Sequence, residues 1–269
     1  MTSARAVALG DGARAERTDR LATEEPLEIR AQGPGQAARA VAVTMRTPGA
    51  DFELAAGFLW SEGLLDDPRG VRRVSYCEDL PDDEQAWNVV TVELEGLFDP
   101  DRVARAFAVT SSCGVCGRAT LDEVEVRCAP LAEGPVVTAS VLASLPERLR
   151  EGQTVFEQTG GLHAAGLFEP GGRLLALRED VGRHNAVDKI VGRGLLAREL
   201  PLAGTVLQVS GRVSFEIVQK AARAGIPVVA AVSAPSSLAV EAAERLGVTL
   251  AAFVREGRAT VYAHPERIV

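Results

Sequence analysis

Apolar residues at every second position open the patterned part of the chain. Leu27 and Ile29, then Val41, Val43 and Met45, repeat with the period of strands that have one covered face. Residues 26–46 therefore predict a β-hairpin. Thr47-Pro48-Gly49 reads as a turn, and Asp51 as the cap of a helix over 51–64 with Phe52, Ala55, Ala56 and Leu59 on one face. Strands follow over 71–78 and 87–94, the second alternating Val89, Thr91 and Glu93. The acidic run 79–84 between them suits a solvated turn. A short helix is expected over 99–107, then a stretch with no periodicity over 109–117. Beyond the polar connector 122–134 comes a helix over 138–151.

From residue 173 onward the pattern settles into strict alternation. Strands over 173–177, 205–210, 227–232 and 249–254 are separated by helices over 185–200, 214–224 and 237–246. Apolar, β-branched strands alternating with helices predict an α/β fold, its sheet largely parallel and covered by helices. Three portions result: a mobile tail over 1–23, an N-terminal α+β portion over 24–135, and an α/β domain over 136–269. The tail rests on the Ala, Arg, Asp and Gly composition of its residues. There is no internal repeat.

Composition narrows the function. The apolar share of 46% and charged share of 25% are those of an ordinary globular protein. No apolar run reaches the ~20 residues of a membrane-spanning helix, and residues 1–23 lack the pattern of a secretory signal. A cytosolic protein without membrane attachment is expected. A net charge of −8 argues against a general nucleic-acid binder. That charge is uneven: residues 1–158 hold 16 Lys and Arg against 27 Asp and Glu, and residues 159–269 hold 13 against 10. A basic bias in the second half suits an anionic small ligand, although surface scatter gives the same count.

Of the four cysteines, only two cluster, in Ser111-Ser112-Cys113-Gly114-Val115-Cys116-Gly117. Thiols two residues apart reach each other or one metal ion. The glycines let backbone N–H groups turn toward the sulfur, which lowers a thiol pKa and raises the reactive thiolate fraction. Structural zinc needs four ligands, and Cys77, Cys128 and the three histidines are scattered. A thioredoxin-like pair belongs at a strand-to-helix junction opening a βαβ unit. A zinc nucleobase deaminase has its H-x-E before P-C-x-x-C, but here the CxxC precedes His163, which is followed by Ala164-Ala165. A sulfur or acyl carrier with an exposed thiolate is the reading preferred over zinc and a redox pair, and no resident metal is expected. Cys77 and Cys128 read as packed, inert thiols.

Five further segments carry candidate ligand contacts. Small residues surround His163 in 158–166, as a packed Gly-rich turn or as an acid/base partner of the thiolate loop. In 178–185, Arg183 and His184 stand near a helix start that attracts anions, whereas Glu179 and Asp180 equally cap that helix and pair with Arg183. Ser210-Gly211-Arg212, Ser233 with Ser236 and Ser237, and Phe253-Val254-Arg255-Glu256-Gly257-Arg258 follow the last three strands. Ligands of open α/β sheets gather beyond the carboxyl ends of strands, and Arg255 and Arg258 can clamp a phosphate or stack on a purine. Plain N-caps at Ser236 and Ser237, and a hairpin turn at Glu256-Gly257, are the structural alternatives.

Taken in order, these motifs resemble the FdhD family of formate dehydrogenase accessory sulfurtransferases. The resemblance rests on Thr47-Pro48-Gly49 with 57–63, on 111–117, on 159–165, on 179–189, on 210–216 and on 253–258, and covers nearly everything after residue 24. It implies a cytidine-deaminase-like α/β fold, a mixed sheet covered by helices without the zinc site, and a homodimer. It implies transfer of persulfide sulfur from a cysteine desulfurase to the molybdenum (or tungsten) bis(molybdopterin guanine dinucleotide) cofactor for formate dehydrogenase. By the same resemblance Cys113 carries the persulfide, Cys116 is its neighbour, and Phe253, Val254, Arg255, Glu256, Gly257 and Arg258 bind the cofactor. A non-catalytic cofactor-binding chaperone is the alternative.

Overall fold

The computed structural model describes residues 1–10, 13–77, 87–103 and 128–269. Its centre is a six-stranded sheet of β7 (His163–Phe168), β8 (Leu174–Asp180), β9 (Val206–Val209), β10 (Val228–Ala231), β11 (Thr249–Arg255) and β12 (Arg258–Ala263), ordered β12-β11-β10-β9-β7-β8. Strands β9, β10 and β11 run parallel, whereas β7, β8 and β12 pair antiparallel with their neighbours. The sheet is thus mixed and not largely parallel.

Its strands are apolar on both faces because both faces are covered. On one side Ala164, Phe168, Val206, Val228, Ala230 and Ala251 pack under helix α2 (Ala139–Glu151) through Leu142, Leu145 and Leu149. On the other, Ala165, Leu167, Leu207, Val229 and Leu250 join the core beneath α4 (Arg183–Leu196), α5 (Phe215–Arg223) and α6 (Ser237–Leu246). The short α3 (Thr154–Thr159) precedes β7.

A second sheet has the order β4-β3-β6-β5, from β3 (Glu25–Gln32), β4 (Arg39–Arg46), β5 (Val71–Tyr76) and β6 (Val89–Leu94). Helix α1 (Asp51–Ser61) lies between this sheet and α4. Its approach to α4 needs glycine. A Cβ on Gly57 would strike the Asp188 carbonyl, and one on Gly192 the Glu53 carbonyl. Asp51 does not cap α1; Ala50 holds the N-cap position, and Asp51 is buried in an ion pair with Arg46 at 2.9 Å, taking a further bond from the Tyr76 hydroxyl at 3.1 Å.

Residues expected as a mobile tail form a hairpin, β1 (Thr2–Gly10) with β2 (Ala13–Leu21), in continuous register from Thr2↔Leu21 to Gly10↔Ala13. Small alanines at every second position of β1 satisfy a strand without adding the large apolar residues that signal one. Arg20 anchors the hairpin to Gln158 at 2.6 Å. Among the described residues no helix is long and apolar enough to cross a membrane.

Candidate functional site

Topology brings five chain segments to one edge of the six-stranded sheet. The carboxyl ends of β9, β10 and β11 lie there, as does that of β8, which runs the same way, and the first residue of β7, which runs the other way. Ser210, Ser233, Arg255, His163 and Asp180 thus collect along one line, the ligand-binding edge of such sheets.

A cleft of about 750 Å³ opens at this edge, with His163, Ser210, Val232 and Arg255 on one side and α2 and α3 on the other. Ser210 ties the floor together: its hydroxyl accepts from the Ala164 N–H at 2.9 Å while its own N–H donates to the Ala164 carbonyl at 3.0 Å. Gly211 packs so closely that a Cβ would stand 3.2 Å from His163 Nδ1 and 3.8 Å from Arg183 Cδ. Burial, followed by the Arg183 cation, depresses the His163 pKa against the opposing pull of Asp180. The imidazole is therefore neutral at neutral pH and can accept as well as donate.

Arg183 is the first residue of α4, whose N-cap Gly182 offers no side-chain acceptor to the helix N–H groups. Its Nε is buried without a hydrogen-bond partner. An anion at this point would satisfy both. His184 differs. Its Nε2 lies 3.0 Å from Ser214 Oγ and 3.9 Å from Glu216, and burial with the nearby Lys220 and Arg183 cations brings its pKa down to about 4.

The acidic residues of this segment do not pair with Arg183. Glu179 reaches α3, accepting from the Val155 and Phe156 N–H groups at 3.1 and 2.8 Å. Asp180 is fully buried against Lys189 Nζ at 2.7 Å and accepts from the N–H groups of Thr47 and Gly182 and from Asn185. Asp188 binds Lys220 Nζ at 2.9 Å. Most of 179–189 therefore holds the turn at Thr47, α3 and the helical layer in place.

A second cavity of about 590 Å³ adjoins the first through Arg255 and is lined also by Phe253, Gly257 and Arg258. Phe253, Glu256 and Gly257 have φ of 52°, 52° and 73°, so the chain twists tightly between β11 and β12. Glu256-Gly257 is indeed the hairpin turn, and Glu256 pairs with Arg258 at 2.8 Å on the surface. Val254 is wholly buried and offers a ligand no side chain. Arg212 is exposed and lines neither cavity, nor do Arg183, Gly211, Ser233, Glu256 and His184. Ser236 is a plain N-cap, accepting from the Ala239 N–H at 3.2 Å.

The segment around His163 is not a turn but the start of β7, and its histidine does face the cleft. Sequence reasoning missed the opposite wall. Arg150 stacks 4.1 Å above the Phe156 ring, and beside them Gln153, 4% exposed, keeps an unpartnered Nε2. Only a helix call over the six residues of α3 would have found it.

Cys113 and Cys116 lie outside the described residues. Cys77 and Cys128 are half-buried, and burial pushes the Cys128 thiol up, away from reactivity. Among the described residues no three His, Cys, Asp or Glu side chains are grouped to hold a metal.

Comparison with known proteins places this geometry in a family. The model of the FdhD/NarQ family matches residues 22–269, everything after the β1–β2 hairpin. The chain is 52% identical over 268 residues to the sulfur carrier protein FdhD of Streptomyces coelicolor, spanning 97% of this chain and 93% of that protein. It is 48% identical over 287 residues to the protein of the same name from Anaeromyxobacter dehalogenans, spanning 99% and 98%. Among solved structures, a formate dehydrogenase accessory protein from Desulfotalea psychrophila superposes with a TM-score of 0.75 at 28% identity, over 100% of this chain and 99% of that one.

Proposed function

Because this chain belongs to the FdhD/NarQ family, we propose that it is a sulfur carrier in formate dehydrogenase maturation, holding a persulfide on Cys113. The Cys113 thiolate attacks the outer sulfur of a cysteine desulfurase persulfide. A sulfur–sulfur bond forms at Cys113 as the donor's breaks, and the desulfurase cysteine leaves as its thiolate. Attack of the Cys116 thiolate on Cys113 then forms a Cys113–Cys116 disulfide and releases HS⁻, the two cysteines supplying both electrons. The acceptor is the molybdenum (or tungsten) bis(molybdopterin guanine dinucleotide) cofactor as substrate, which gains a sulfido ligand.

One observation carries this reading: a CxxC at 113–116 in a chain whose sheet edge sets His163 and Arg255 on open cavities, with Arg183 behind Gly211. Arg183 Nε and the Arg255 guanidinium, without partners among the described residues, suit a phosphate-bearing guest. Arg150 on Phe156 provides a flat wall of the kind a purine packs against. The carrier works in the reducing cytoplasm, where free thiols persist. It does so as a homodimer whose six-stranded half is the cytidine-deaminase-like unit.

The test is intact-mass spectrometry after incubation with cysteine desulfurase and cysteine. A gain of ~32 Da, one sulfur, mapped to Cys113 is expected, and a Cys113→Ala protein should not gain it. No adduct alongside a competent desulfurase would remove the carrier reading. A chaperone that merely binds the cofactor is the second reading, favoured by the size of the two adjoining cavities. It requires Cys113→Ala to keep full activity in formate dehydrogenase maturation.

A further inference from the structure

A second basic site lies at the far end of α4, ~21 Å along its 14 residues from Arg183. A cup of about 300 Å³ opens there between β5, the start of α1 and the end of α4. Arg69, Arg72, Arg73 and Arg198 line it, all exposed, around a floor that includes Phe52 and Leu196. In a chain of net charge −8, four arginines converging on one small cavity are a marked local excess.

None of the four has a carboxylate partner among the described residues. The nearby acids are otherwise engaged: Glu53 holds Arg178 at 2.6 Å, Glu199 holds Arg193 at 2.6 Å, and Asp66 holds Arg102 at 2.7 Å. Glu93 stands opposite Arg73 in the β5–β6 ladder, but no ion pair joins them. The ladder is irregular between Val71 and Arg73, which lets two consecutive residues, Arg72 and Arg73, line the same cavity.

The backbone is equally open. Strand β5 is the last strand of its sheet and pairs only with β6 among the described residues, so its outer N–H and C=O groups lack a neighbouring strand. Phe52 is 37% exposed and Leu196 38%, apolar anchors within a ring of cations. Arginine and aromatic side chains around a small, partly apolar pocket are the composition of an interface centre. A free phosphate would use the cations but gain nothing from the floor or the strand edge. An extended peptide uses all three.

We propose that this cup is a docking site for an extended segment of a partner protein, rich in Asp and Glu around apolar anchors, which adds as a strand to the free edge of β5. Its carboxylates meet the arginine ring, and one apolar side chain fills the space over Phe52 and Leu196. The site is separate from the sheet edge assigned to the cofactor and does not depend on that assignment.

Fluorescence anisotropy of the full chain tests it, using a labelled decapeptide in which Asp and Glu alternate with Leu and Val. Binding should weaken with added salt and fall at least tenfold in the Arg72→Glu/Arg73→Glu protein. Phe52→Ala should weaken it severalfold, and a peptide with Lys in place of Asp and Glu should not bind. Circular dichroism confirms that the variants are folded, which exposed positions favour. No binding to wild type, or equal binding by the charge-reversed protein, would overturn the proposal. So would a loss seen only with Arg255→Glu, which puts the peptide on the other basic edge. Displacement by inorganic tripolyphosphate as readily as by unlabelled peptide identifies a plain anion site and also overturns it. If the charge-reversed protein keeps its affinity but aggregates, the arginines serve only to block edge pairing.

Discussion

Segments 179–189 and 253–258 look alike as sequence, each setting arginine beside an acid near a strand end, yet the structure uses them in opposite ways. In the first, Glu179, Asp180, Asp188 and Lys189 are consumed by bonds to α3, the Thr47 turn and Lys220, leaving Arg183 as the residue with an unmet donor. In the second, the only ion pair among the described residues is the exposed one between Glu256 and Arg258, and Arg255 is left facing both cavities. Density of charged residues in a motif therefore does not measure how many are available to a ligand. Burial separates the two cases, because a buried ion must be paired and a surface one need not be.

Substitutions can break that contrast. Lys189→Met should cost most, about 3–5 kcal/mol, because it strands the fully buried Asp180 carboxylate without its cation. Urea unfolding measures it, and a loss below about 1 kcal/mol would show that the Thr47, Gly182 and Asn185 donors suffice. Gly57→Ala should cost about 1–3 kcal/mol or prevent folding, since its Cβ meets the Asp188 carbonyl. Glu179→Ala should cost about 1–2 kcal/mol by freeing the Val155 and Phe156 N–H groups, and should loosen α3 in hydrogen exchange before the rest of the fold. Arg255→Ala should change stability by no more than about 0.5 kcal/mol while lowering affinity for GDP at least tenfold in calorimetry. Equal GDP affinity would take Arg255 out of the ligand site.

Acid sharpens the same contrast. The folded chain holds His184 neutral, with its pKa lowered from 6.5 to about 4, and depresses His163 as well. As pH falls below 6.5 the unfolded chain takes up these protons first. Stability should therefore be full above that pH and should decline through the window down to about 4. His184→Gln should flatten part of that decline in urea midpoints measured across the window, with His163 supplying the remainder. A profile identical to wild type would show that His184 does not titrate as its burial requires.

The alternation after residue 173 was legible because each strand is an apolar, β-branched run and each helix an amphipathic one. Among the elements that escaped, four show why. β7 is His-Ala-Ala-Gly before its large residues, so it reads as a turn, and only pairing with β8 and β9 makes it a strand. α3 is too short for a period, and β1 and β2 carry alanine and arginine where strands usually signal with valine and isoleucine. Of the site, His163, Ser210 and Arg255 were found because they stand beside small residues at strand ends. Phe156, Arg150 and Gln153 were not, since their convergence depends on Glu179 holding α3 from 23 to 24 residues away. The sequence also left open whether Glu179 and Asp180 pair with Arg183, a choice made by Lys189 and the N–H groups around them.

The seam between α1 and α4 has a mechanical consequence. With Gly57 and Gly192 facing the opposite backbone, no side chain stands between the helices at these two points to roll or reshuffle. Sliding one past the other would drive carbonyl oxygen into α-carbon, so the seam behaves as a weld and not as a bearing. Accommodation of a guest at either sheet must then come from the connecting loops, while the framework carrying them keeps its shape.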